Sequence, residues 1–183
     1  MKLLKNKKLL VIVLLVMGAV LYFAVPRTLY GNDEESVVKV IRKVEGDKDL
    51  TAIIELVEIK DFGEHRVVSF LYDNTPAYAH FIKNSIGNYR WVYVEKSGGV
   101  SLAQFMVNRI RGGDDAPVML FVANGDNEVA KIQVIVNGEV LETEITPHTM
   151  DVAWVEIPGT NEKSYRFDYV YYDEEGNRIG NDD

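Results

Sequence analysis

Residues 66–95, RVVSFLYDNTPAYAHFIKNSIGNYRWVYVE, decide the fold class of this chain. Three apolar runs of seven residues lie at 66–72, 77–83 and 89–95, and short segments rich in Asp, Asn, Pro and Gly separate them. Runs of this length with many β-branched and aromatic residues, bounded by turn formers, are typical of strands. Strands joined by short turns pair in antiparallel fashion. The stretch therefore predicts an antiparallel meander.

The same alternation of apolar runs and turns continues to the end of the chain. VSLAQFMV precedes a loop at residues 109–117, and five further runs follow it. Among their connections Asn137-Gly138 is the strongest hairpin signal, because both residues accept the positive φ of a type I′ turn. About 65 residues with five short strands suit a small immunoglobulin-like sandwich. The chain contains no cysteine, so the pattern predicts only the architecture of such a domain.

One helix is predicted upstream of the meander. Residues 33–44 place valines and isoleucine at helical spacing, Asn32 and Glu35 have the spacing of a capping box, and Gly46 is a suitable stop. The next segment, TAIIELVEIK at 51–60, fits a helix or a strand, and we favour a strand in its second half. The expected fold class is α+β and mostly β.

The N-terminal stretch KNKKLLVIVLLVMGAVLYFAVP, residues 5–26, is either a cleaved signal or a retained anchor. Its apolar run of 17 residues is at the short end for a membrane span. Signal cleavage requires small residues three and one before the cut, and Tyr22 and Met17 occupy the first of those positions for cuts after Ala24 and Ala19. We therefore expect a retained transmembrane helix, with the preceding lysines on the cytoplasmic side.

These patterns predict five regions along the chain. They are a basic cytoplasmic tail at 1–8, a transmembrane anchor at 9–26, a stalk at 27–35, a helix with the meander at 36–112 and a sandwich-like region at 113–183. Residues 27–183 hold 16 basic and all 28 acidic residues, a formal charge of −12. Such a charge repels nucleic acid, so nucleic-acid binding is not expected.

This layout, together with the segments NYRWVYVE and YDEEGNRI, resembles small single-pass exported proteins of the Gram-positive cell envelope. The resemblance covers most of the chain. It implies a single-pass protein of the cell membrane with an extracytoplasmic C-terminal region, and it transfers no catalytic residue.

A catalytic or metal-binding pattern is not found in the sequence. The absence of cysteine excludes disulfides, thiolate metal sites and a cysteine nucleophile. The three histidines are far apart in sequence: His65 and His148 are predicted to be solvated loop residues, and His80 to be a partly buried strand residue. We expect no catalytic residue, no metal and no cofactor.

One group of aromatic residues suggests a binding surface. In YRWVYVE, strand alternation places Tyr89, Trp91 and Tyr93 on one face and the intervening arginine and valine on the other. Tyr78 and His80 on the preceding strand would widen this stripe. Exposed, it could stack on sugar rings or dock a partner protein. Alternatively the upstream helix covers that face, and the aromatic residues belong to the core.

The sequence thus favours a membrane-anchored extracytoplasmic domain that interacts with a partner or regulates it without catalysis. The expected partners are the membrane itself, through the N-terminal helix, and an envelope protein or wall polymer. The alternatives are an envelope hydrolase and a solute-binding domain, each with its site between the two β regions.

Overall fold

The computed structural model describes residues 11–17, 29–48, 50–110, 116–160 and 164–180. Residues 11–17 are helical, and within these ranges no helix has the length and apolar character needed to cross a membrane. The predicted tail and most of the predicted anchor at 9–26 lie outside the described residues. The transmembrane helix therefore stays a prediction.

The protein is mostly β with antiparallel pairing, as predicted. Apart from residues 11–17, the described ranges contain the helix α1 (Glu34–Glu45) and eleven strands: β1 (Ile54–Phe62), β2 (His65–Tyr72), β3 (Thr75–Lys83), β4 (Tyr89–Lys96), β5 (Leu102–Val107), β6 (Val118–Ala123), β7 (Lys131–Val136), β8 (Glu139–Glu144), β9 (Asp151–Glu156), β10 (Phe167–Tyr172) and β11 (Arg178–Ile179).

The N-cap of α1 lies one residue later than predicted. Asp33 is the N-cap, and its carboxylate accepts from the backbone N–H of Ser36. The predicted cap, Asn32, is wrong because its side-chain oxygen accepts from the backbone N–H of Tyr89 instead. Gly46 ends the helix in the left-handed conformation, with φ of 73°, as expected.

The strands form three sheets. The first is the meander β1-β2-β3-β4, the second has the order β5-β6-β9 and is called the middle sheet below, and the third has the order β11-β10-β7-β8. The helix α1 packs on one face of the meander, and the other face packs on the middle sheet. The third sheet covers the far face of the middle sheet.

The strand β6 shows why the middle sheet is covered on both sides. All six of its residues are buried. Leu120 and Val122 pack toward the meander, whereas Met119 and Phe121 pack toward the third sheet. A strand with two buried faces needs no polar alternation, which explains its unbroken apolar sequence. The domain boundary predicted at residues 112/113 falls between β5 and β6, which pair with each other.

A tryptophan joins the meander to the middle sheet. The indole N–H of Trp154 donates to Oε2 of Glu58 at 2.6 Å. The Lys60 ammonium lies 4.7 Å from the same ring, and Phe62 meets it edge-on at 5.4 Å between centroids. This cluster connects strands that are about one hundred residues apart in sequence, and it holds the two sheets in register.

We expect Trp154→Phe to lower the free energy of unfolding by about 1.5 kcal/mol, because a hydrogen bond to a charged acceptor is lost. Urea denaturation monitored by circular dichroism measures the change. Trp91→Phe is the matched control, since Trp91 is 41% exposed, and it should change stability by less than about 0.5 kcal/mol. Equal losses in the two variants would contradict the role of the indole N–H.

The segment just before α1 packs on the meander. Leu29 packs with the residues between α1 and the meander, and the N–H of Gly31 donates to the carbonyl of Tyr89 at 2.8 Å. The guanidinium of Arg66 donates to the carbonyls of Gly31 and Asn32, each at 3.0 Å. Residues 29–35, predicted to be part of a stalk, are therefore packed on the meander or lie in α1.

Candidate functional site

A β-bulge in the β3–β4 pair determines which side chains come together. His80 pairs with Tyr93, but the next residue, Phe81, pairs with Trp91. Val92 is thus an extra residue in β4. Because side chains alternate between the faces of a strand, one extra residue reverses the faces on its two sides.

The bulge divides the predicted aromatic stripe. Tyr89 and Trp91 lie on the α1 side of the meander, whereas Tyr93 lies on the opposite side with Tyr78 and His80. The prediction that Tyr89, Trp91 and Tyr93 share one face is wrong. The structure brings together three of the five candidate residues, and they face the middle sheet.

Tyr89 is a core residue beneath α1, as in the alternative interpretation of the stripe. It is 6% exposed and packs with the residues under α1. Its hydroxyl donates to Oδ2 of Asp61 at 3.0 Å, and the Arg66 guanidinium lies 3.9 Å above its ring. The same guanidinium binds the Asp61 carboxylate and holds the pKa of that carboxyl below its usual value. Tyr89 therefore contributes to the structure of this end of the meander.

A groove of about 840 Å³ opens between the meander and the end of β5. One wall, formed by the meander, carries Tyr78, His80 and Tyr93 together with one further histidine and a glutamate. The opposite wall is formed by residues at and just beyond the end of β5. The residues used below are His65, Tyr78, His80, Tyr93 and Glu95 on the first wall, and Met106, Asn108 and Arg109 on the second.

Two histidines meet at the base of the groove. Nδ1 of His65 lies 3.0 Å from Nε2 of His80, and the rings stack with centroids 5.2 Å apart. His80 is 4% exposed, and its Nδ1 has no hydrogen-bond partner among the residues that the structure describes. A buried N–H without a partner costs more than a lone pair without one, so we assign the proton to Nε2 of His80, which donates to His65. The prediction that His65 is a solvated loop residue is wrong, because it is a half-buried residue of β2.

His80 is electrically neutral at physiological pH. Burial, with a second contribution from the neighbouring His65, lowers the pKa of its imidazole to about 4. A base with so low a pKa holds little of its conjugate acid near pH 7 and accepts protons poorly there. His80 therefore offers the groove a neutral ring edge, and the stacked pair offers it hydrogen-bonding nitrogens.

Two tyrosines continue the polar wall. The hydroxyl of Tyr78 donates to the hydroxyl oxygen of Tyr93 at 3.1 Å, and the ring of Tyr93 meets His80 edge-on at 5.2 Å. Burial raises the pKa of both tyrosine hydroxyls, so both stay protonated. Tyr93 consequently keeps a hydroxyl proton that it can donate to a ligand. The carboxylate of Glu95 is exposed at the mouth of the groove.

The groove offers a set of groups suited to binding. Its described lining contains no Ser, Thr or Cys side chain, and its tyrosines are poor nucleophiles because they stay protonated. Among the described residues, no three His, Asp or Glu side chains are placed to hold a metal ion together. The groove instead presents the neutral His80 imidazole, the His65 ring, tyrosine hydroxyls, the Asn108 amide and one charge of each sign.

Unpaired strand edges border the groove. Within the described ranges β4 pairs only with β3, and β5 pairs only with β6. The rim between these edges carries Val92, 41% exposed, and Met106, 44% exposed. A strand edge offers backbone donors and acceptors to an additional strand. The groove thus combines side-chain polar groups, an apolar rim and free backbone edges.

Three groove residues were not predicted from the sequence: His65, Glu95 and Arg109. For His65 a signal was present: the two-residue connection Asp73-Asn74 sets the β2–β3 register and places Val67 opposite His80. Alternation then puts His65 on the same face as Val67, beside His80. The approach of β5 to the meander, which brings Arg109 to the groove, depends on packing between sheets and has no local signal.

Comparisons of this chain with protein-family models, curated proteins and solved structures gave no match. The likeness to Gram-positive envelope proteins remains an expectation from layout and two short segments.

Proposed function

We propose that this chain is a membrane-anchored, non-catalytic binding domain of the cell envelope. Its groove between the meander and the middle sheet would take an extended segment of another envelope protein. The observation that carries the proposal is the convergence of Tyr78, His80 and Tyr93 in a groove bordered by edges of β4 and β5 that pair with no other described strand. The extracytoplasmic location rests on the predicted anchor and its flanking lysines.

An extended polypeptide suits the groove for two reasons. Free strand edges bind peptides by strand addition, in which backbone hydrogen bonds supply affinity and alternate side chains supply specificity. Val92 and Met106 would cover the apolar side chains of the segment, whereas Glu95 and Arg109 would pair with its charges. The neutral His80 and the Tyr93 hydroxyl would meet its polar groups.

A wall polymer is a poorer fit. Sugar rings stack on the exposed faces of aromatic rings, and a broad platform needs several such rings on one surface. The bulge at Val92 separates Trp91 from Tyr93, so the predicted stripe offers no such platform. The hydrolase alternative lacks a nucleophile in the described lining, and His80 is a weak base.

Photocrosslinking in the native membrane tests the proposal. The full chain carries a photoreactive phenylalanine at position 106 and is irradiated in host membranes. We expect one crosslinked protein, and we expect Val92→Glu to reduce the yield at least tenfold, because a charge then enters the apolar rim. Mass spectrometry identifies the crosslinked residues, and a synthetic peptide of that segment should compete for the groove.

The matched control places the same photoreactive residue at position 140. Val140 lies on β8 in the third sheet, is 52% exposed and does not line the groove. It should give none of the crosslink found at position 106. The proposal fails if both positions capture the same protein, or if Val92→Glu leaves the yield unchanged while circular dichroism shows a folded protein.

A further inference from the structure

The β3–β4 turn, residues 84–88, lies beside residues 31–32, just before α1. The side-chain amide of Asn32 donates to Oδ1 of Asn88 at 2.8 Å, and Gly31 donates to the carbonyl of Tyr89. The apolar N-terminal run ends at residue 25, four residues before Leu29. Four residues span at most ~14 Å. If the run is anchored, as the proposed function holds, this turn is kept close to the membrane.

The turn presents an apolar side chain in a fixed conformation. The side-chain oxygen of Asn84 accepts from the backbone N–H groups of Ile86 and Asn88, at 3.1 and 2.9 Å. Gly87 adopts a left-handed φ of 91° that closes the turn. Ile86, at the apex, is 77% exposed. A preordered loop loses little entropy when it contacts a surface, so its exposed isoleucine is available for insertion.

Most of the hairpin that carries Ile86 lacks acidic residues although the domain is acidic, and its one acid, Glu95, lies near the open end of the hairpin, away from the turn. Residues 74–94 contain no Asp or Glu, although the chain has 28 such residues. Lys83 and Arg90 flank the turn, and both are exposed. Basic side chains beside an apolar residue are typical of segments that lie at a membrane interface, where they reach phosphate groups while the apolar side chain inserts. Trp91 follows on the same strand and is 41% exposed, and Trp is enriched at such interfaces.

We propose that the β3–β4 turn docks on the outer lipid surface, with Ile86 inserted among the headgroups and Lys83 and Arg90 at the phosphates. This inference rests on the anchoring in the proposed function and adds an orientation to it. The strands of the meander would then point away from the bilayer, because the β1–β2 and β3–β4 turns share one end and the β2–β3 turn lies at the other. The groove would be held at a constant distance from the membrane surface.

Site-specific fluorescence tests the docking. The chain has no cysteine, so Ser85→Cys gives one labelling site next to Ile86. The full chain, labelled with an environment-sensitive dye, is reconstituted into vesicles of equal parts phosphatidylcholine and phosphatidylglycerol. We expect the emission of the dye to be blue-shifted relative to water. We also expect lipids that carry a spin label near the headgroup to quench this emission at least twofold. Adding Ile86→Glu to the labelled chain should shift the emission back toward that of the dye in water.

The matched control is Ile53→Cys, labelled in the same way. Ile53 is 63% exposed and bonds to Asp73 at the opposite end of the meander. Its dye should show aqueous emission without quenching. Equal quenching at positions 53 and 85, or none at 85, overturns the inference.

Flotation of the vesicles separates the inference from its premise. If the chain does not float with the lipid, the anchoring fails and the docking fails with it. If the chain floats but the dye at position 85 stays aqueous, the anchor stands and only the docking is overturned.

Discussion

Gly31→Ala is expected to lower the free energy of unfolding by about 2 kcal/mol, because the added methyl group enters a packed core. A Cβ atom at this position would lie 2.5 Å from Cε1 of Phe81, well inside van der Waals contact. Phe81 is fully buried beneath α1, so its ring has no free space to move into. Urea denaturation of the wild type and the variant, monitored by circular dichroism, gives the difference.

Two comparisons make this expectation specific. Gly98→Ala adds the same methyl group where no atom of the described residues, apart from its chain neighbours, lies within 4 Å, and it should leave stability unchanged or slightly higher. Phe81→Leu removes ring atoms that the new methyl group meets, so combining it with Gly31→Ala should cost less than the sum of the two single changes by at least about 0.5 kcal/mol. An additive double mutant would show that Gly31 does not contact Phe81.

The expected loss at Gly31 bears on the membrane-proximal organisation of the protein. A flexible stalk would tolerate the alanine, whereas a packed segment would not. Residues 29–35 are tied to the meander by Gly31, Asn32 and the Arg66 guanidinium, so only a few residues separate the folded domain from the apolar run. The composition of this segment, polar and acidic, gives no sign of this packing, because the hydrogen bonds come from residues more than thirty positions away.

The strands were predictable because their signals are local. Apolar runs, Asn137-Gly138 and the glycine after α1 each report on a few neighbouring residues, and the structure has a strand, turn or helix end at each. The way in which the three sheets pack on one another has no such local signal. The boundary between β5 and β6 was predicted from a Gly- and Asp-rich loop, whereas the pairing of the two strands depends on residues on both sides of that loop.

The site was predictable only in part, and the bulge explains why. Strict alternation along YRWVYVE places its three aromatic residues on one face, but a single extra residue, Val92, reverses that relation. No turn former marks this position in the sequence. Tyr78 and His80 lie in β3 on the same side of the bulge, so their shared face was predicted correctly. Tyr93 shares that face with them, but Tyr89 and Trp91, with which it was grouped, lie on the other face.

We expect acid to destabilise the protein, because the imidazole of His80 binds a proton more readily in the unfolded chain than in the folded protein. The pKa of its imidazole is about 4 in the folded protein, against about 6.5 when it is free. Between these values the unfolded chain binds a proton that the folded protein does not, so stability rises with pH across this window and is lost as pH falls from about 6.5 toward 4. The difference of about 2.5 pK units corresponds to a loss of about 3 kcal/mol between pH 7 and pH 4.

The prediction is tested by comparing the wild type with His80→Gln at pH 7, 6, 5 and 4. The variant lacks the titrating group, so its unfolding free energy should fall by about 3 kcal/mol less than that of the wild type over this range. Carboxyls such as Asp61, whose pKa Arg66 lowers, lose their contribution at still lower pH, and they are present in both proteins. Their effect therefore cancels in the difference.

His148→Asn is the control for the loss of a histidine as such. His148 is exposed in a loop with φ of 57°, a conformation that Asn tolerates, so this variant should follow the wild-type pH profile. Parallel profiles for the wild type and His80→Gln would mean that the imidazole is protonated equally well in the folded and unfolded states. His80 would then be solvated, and the groove would lose the buried, neutral imidazole that the proposed function places against the polar groups of the bound segment.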